Sequence, residues 1–71
     1  MKTAFLDSIA ANVQTAINEM ISAKTSITVA KNMGVSTLEM QNRYSTSKIA
    51  LQKQIDGLKL EGYTFTNENN L

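Results

Sequence analysis

The titratable side chains of this 71-residue sequence are six carboxylates, seven cations and two tyrosines, with no His and no Cys. General acid–base or nucleophilic catalysis needs such groups to converge on one reacting atom. The carboxylates are Asp7, Glu19, Glu39, Asp56, Glu61 and Glu68, and no two stand three or four residues apart on one helical face. There is no thiolate or imidazole to bind a transition metal, no Glu-x-x-His pair and no glycine-rich phosphate loop. The sequence therefore predicts a non-enzymatic protein with no catalytic residues, no metal site and no cofactor.

The cations give no better purchase on a polyanion. Lys2, Lys24, Lys31, Arg43, Lys48, Lys53 and Lys59 are scattered, and the formal net charge is only +1. A nucleic-acid or anionic-membrane patch is not evident from charge alone. Ser, Thr, Asn and Gln supply most of the polar surface instead. Such a surface suits contact with protein, since fewer ions must be desolvated.

What positions these residues is a pair of helices. From Leu6, the residues Leu6, Ile9, Val13, Ala16, Met20, Ala23, Ile27 and Ala30 recur at alternating spacings of three and four. A period of 3.5 held this long marks a helix built to lie along another, as in a coiled coil or bundle. Small residues at Ala16, Ala23 and Ala30 let a neighbouring backbone come close. Thr3 is the expected N-cap, and Asp7 lies in the early turns, where negative charge suits the helix dipole. The β-branched stretch Thr25 to Val29 lowers helix propensity, but Ile27 and Ala30 keep the phase. One helix is predicted over about 4–33, roughly 45 Å long.

Gly34 then stands where a left-handed terminating glycine belongs. Ser36 and Glu39 have capping-box spacing, and Val35 and Met40 have that of a hydrophobic staple around it. A second helix is predicted over about 36–60. Its stripe is Met40, Tyr44, Ser47, Leu51, Ile55 and Leu58, with Glu39 and Arg43 a favourable i,i+4 pair beside it. Gly62 is a second terminator. Beyond it, residues 63–71 read as a flexible polar tail whose two aromatics, Tyr63 and Phe65, are expected to pack against the helix ends.

The predicted fold class is all-α: an antiparallel two-helix hairpin over residues 1–62 with a short C-terminal tail. A hairpin has a seam but no interior. Phe5, Ala10, Ile17, Ile21 and Val29 on the first helix, and Leu38, Ile49 and Leu60 on the second, widen the apolar face beyond what one partner helix covers. A chain this small without disulfide or metal commonly needs a partner. Oligomerisation or a protein partner is therefore expected to complete the fold. The residues expected at that interface are Leu6, Ile9, Val13, Ile17, Met20, Ile21 and Ile27 on the first helix and Met40, Tyr44, Leu51 and Ile55 on the second.

One motif supports an alternative. Ala30-Lys-Asn-Met-Gly34-Val35-Ser36 resembles the core of the helix-turn-helix DNA-binding family, over about 20 residues from Ile27 to Tyr44. Met33 and Met40 fall where that family buries apolar groups. The resemblance implies a recognition helix opening at Ser36, with Thr37, Gln41, Asn42 and Arg43 facing bases or phosphates. The angle between the helices separates the readings: near-antiparallel for a hairpin, 90–120° for helix-turn-helix.

The opening Met-Lys-Thr-Ala-Phe-Leu imitates a signal peptide, but Asp7 and Ser8 stop the apolar run. No stretch approaches the roughly 20 apolar residues of a membrane span. A cytoplasmic protein, or one exported without a cleaved signal, is expected. The favoured role is a small structural or adaptor subunit, bacterial or phage in character.

Overall fold

The computed structural model describes residues 1–71. Helix α1 spans Ala4–Asn32 and helix α2 spans Leu38–Leu60, with a single 3-10 turn at Glu68–Asn70 and no strand. The molecule is a rod of 47 × 17 × 17 Å. A helix of 29 residues is itself about 43 Å long. Two helices fit within a 17 Å width only when nearly antiparallel, which is the hairpin geometry. A 90–120° crossing does not fit that envelope.

Local chemistry explains each end of α1. Thr3 is extended at the cap, and its Oγ1 accepts a hydrogen bond from the Leu6 N–H at 3.1 Å. Gly34 takes a left-handed φ of 79° after the Met33 cap. The Val35 N–H then bonds the Ala30 carbonyl at 3.0 Å and the Gly34 N–H bonds that of Lys31 at 3.1 Å. This is the Schellman closure, which satisfies otherwise orphaned carbonyls. The β-branched patch stays helical. The Thr25 and Thr28 hydroxyls donate to the carbonyls of Ile21 and Lys24, one turn back, so they do not compete for other backbone groups.

The start of α2 differs from the sequence expectation. The N-cap is Thr37, one residue after Ser36, and no side chain caps the helix. Thr37 is 6% exposed, and its Oγ1 accepts from the Gln41 amide at 2.7 Å. Glu39 faces Arg43 at 2.7 Å instead of reaching back to Ser36. With the cap moved, the predicted capping box and staple lose their register, and Val35 and Met40 both remain exposed. At the other end Gly62, with φ of 94°, repeats the Schellman pattern. Tyr63 N–H bonds the Leu58 carbonyl at 3.2 Å and Gly62 N–H that of Lys59 at 3.1 Å.

Residues 63–71, expected to form a flexible polar tail, run back along the hairpin as a strap. Tyr63, Phe65 and Leu71 pack on the core, whose buried members are Val13, Ile17, Leu51, Ile55 and Leu58. The strap is fastened by polar contacts as well. Thr66 exchanges two hydrogen bonds with the Gln14 amide, at 2.8 and 3.0 Å. Lys24 and Lys48 donate to main-chain oxygens of Asn70 and Leu71 at 3.2 and 3.1 Å. Asn67 turns the chain with a left-handed φ of 65°, which Asn tolerates better than most residues.

Candidate functional site

The strap is anchored at the open end of the hairpin, and a groove lies near its turn. At the open end, the Tyr63 hydroxyl donates to Asp7 Oδ1 at 2.5 Å. The Lys2 ammonium lies 5.3 Å from the centre of the Tyr63 ring, within cation–π range. Partial desolvation pushes the Tyr63 hydroxyl above its ordinary pKa, and the bond to Asp7 and its negative charge add to this. Lys59 donates to Glu68 at 2.6 Å. That bond, with the Glu68 charge, holds its ammonium above its usual range. These groups tie the strap to both helices.

The groove lies between the turn-proximal halves of the helices and has a volume of about 380 Å³. Met20, Ala23, Ser26 and Ile27 of α1 form one wall; Met40, Arg43, Tyr44 and Ser47 of α2 form the other. The spacings reflect one helical face on each side. Small side chains at Ala23, Ser26 and Ser47 leave the space unfilled. The Tyr44 hydroxyl is buried here without a hydrogen-bond partner. Arg43, the single charged residue of the lining, is already matched by Glu39 on its own helix.

The predicted interface residues divide between these regions. Val13, Ile17, Leu51 and Ile55 are buried in the hairpin's own core, and Leu6, Ile9 and Ile21 are packed against it. A partner cannot reach the buried four without opening the fold. Met20, Ile27, Met40 and Tyr44 instead line the groove. Ile17, placed off the seam by a strict 3.5 period, is fully buried, whereas the seam residue Ala23 is exposed. Nearly straight helices drift off a heptad line, which moves the α1 seam toward the open face. Ser47, which interrupts the α2 stripe in the sequence, is part of the groove. Its alignment with Tyr44 and Met40 is the signal that could have assigned it there.

The residues implied by the helix-turn-helix resemblance stand in different surroundings. Thr37 is buried, Gln41 is turned onto it, Arg43 is paired with Glu39, and only Asn42 stands free of side-chain partners. No group of three or more His, Cys, Asp or Glu side chains is placed to hold a metal ion. No helix is long and apolar enough to cross a membrane.

The fold thus defines an all-α hairpin closed on one side by a C-terminal strap. Comparison with known families, characterised proteins and solved structures yields no match.

Proposed function

We propose that the chain is a non-enzymatic interaction protein, a helical hairpin that self-associates or docks as a small structural or adaptor subunit of a larger assembly. The observation that carries this reading is the unfilled apolar groove between Met20, Ile27, Met40 and Tyr44. Around the turn beside it, Val29, Met33, Val35 and Leu38 are all more than half exposed. Such a concentration on so small a chain is characteristic of a surface that another protein covers. A low-charge surface rich in hydroxyls and amides favours the same role. The test is the mass in solution by light scattering at micromolar concentration. An assembly larger than one chain is expected; a stably folded monomer throughout that range refutes self-association.

A further inference from the structure

Asp7, Gln14 and Lys24 of α1 and Lys48 and Lys59 of α2 hold the strap. At about 100° of turn per residue, these anchors lie on one face of the hairpin. Ala23, Ser26, Arg43 and Ser47, which line the groove, lie on the other. Ala16 and Ala30 extend that second face along α1. Its side chains are small around Ala23, Ser26 and Ser47, it is flanked there by the charged Glu19 and Arg43, and it carries no strap.

We infer that a second copy of this chain covers the unstrapped face, antiparallel to the first and related to it by a two-fold axis near Ala23 and Ser47. Surface area supports a second copy as the occupant. The chain exposes 5022 Å², whereas a folded monomer of 7.8 kDa exposes about 4,400 Å². The radius of gyration, 14.0 Å, likewise exceeds the value of about 11 Å for a compact chain of this length. Hiding the excess of about 600 Å² on each of two copies gives an interface of about 1,200 Å², the lower end of the stable class.

Charge supports the antiparallel order. Residues 18–50 carry Lys24, Lys31, Arg43 and Lys48 against Glu19 and Glu39, a balance of +2. The remainder carries Lys2, Lys53 and Lys59 against Asp7, Asp56, Glu61 and Glu68, a balance of −1. A parallel pair sets the two basic halves side by side over their whole length; an antiparallel pair about that axis carries the turn tip of each, with Lys31, to the acidic half of its neighbour. The small residues at the axis permit close helix approach, and the product is a closed four-helix bundle with both straps outside.

The inference rests on the self-association proposed above, and the test separates the two. The protein has no cysteine, so Ser47→Cys can be read without background. Under oxidation or with a short bis-maleimide, Ser47→Cys should give a covalent dimer. Lys53→Cys, on an exposed position away from groove and strap, should not. Ala23→Glu, which places a charge on an exposed groove position, should weaken association about 100-fold while circular dichroism retains the helical signal. If Ala23→Glu loses that signal, the crosslinking pair alone decides. A wild-type dimer that Ser47→Cys does not crosslink uses another face: the inference fails and the proposed function stands. Masses above the dimer exclude the closed two-fold pair. A folded monomer overturns the inference together with the self-association it rests on.

Discussion

The two ends of the rod are built from the same helices but not in the same way. Toward the open end, α1, α2 and the strap form three layers around Val13, Ile17, Leu51, Ile55 and Leu58, and every fully buried side chain lies there. Toward the turn there are only two layers, and the one buried residue is the polar Thr37. Nine residues of strap make the difference. A helical pair offers each helix a single stripe of contact, and a third element is needed to enclose a side chain from all sides. Where the chain supplies that element the core is dry, and where it does not a groove remains.

The contrast can be broken most forcefully from the strapped side. Ile55→Ala should destabilise by about 2–5 kcal/mol through the cavity it leaves, while Ile49→Ala, at a 64% exposed position, should stay within about 0.5 kcal/mol. Urea titration of the two variants compares them directly, and equal losses would mean that the core is not confined to this half. Phe65→Ala removes a half-buried strap residue and should cost about 1–2 kcal/mol. Limited proteolysis should then cut within residues 63–71 before either helix.

At the turn, Gly34→Ala places a Cβ on a left-handed backbone with no atom within 4 Å of it. The expected penalty is conformational alone, about 1 kcal/mol, read as a lowered melting temperature. A larger loss would show packing at the turn that the groove does not suggest.

The smallest effect concerns pH. Tyr63 and Lys59 both have raised pKa values in the folded state, so their contribution is complete below the ordinary tyrosine and lysine range. It is lost as pH rises through the raised values. The strap should loosen at alkaline pH before the helices melt. Tyrosine absorbance followed alongside circular dichroism detects this, and Tyr63→Phe should remove the part due to Tyr63.

Much of this architecture is legible in the sequence because its signals are local. Thr3 caps α1 within three residues, and Gly34 and Gly62 close their helices through bonds spanning five. The all-α hairpin follows from these stops and from the spacing of apolar residues. The start of α2 was harder to place, because Ser36 and Thr37 are both competent caps and burial of Thr37 against Gln41 decides between them. The strap's route was not legible. Tyr63 meets Asp7 and Thr66 meets Gln14 across more than 50 residues, and no local periodicity encodes such pairs. The groove is half visible in the sequence: the spacing of Met20, Ile27, Met40 and Tyr44 marks an interface, but Ser47 reads as a break in the stripe.

The strap also changes where the molecule comes apart. In a bare helical hairpin the free ends fray and the turn region persists longest, because the loop keeps the helices together. Here Tyr63, Thr66 and Lys59 fasten the ends that ordinarily open, and the weakest packing lies beside the loop. Amide protons of α1 around Val13 and Ile17 should therefore exchange only on global unfolding, while those around Ile27 exchange by local opening. An isolated chain would breathe at its turn, and whatever covers the groove would silence that motion.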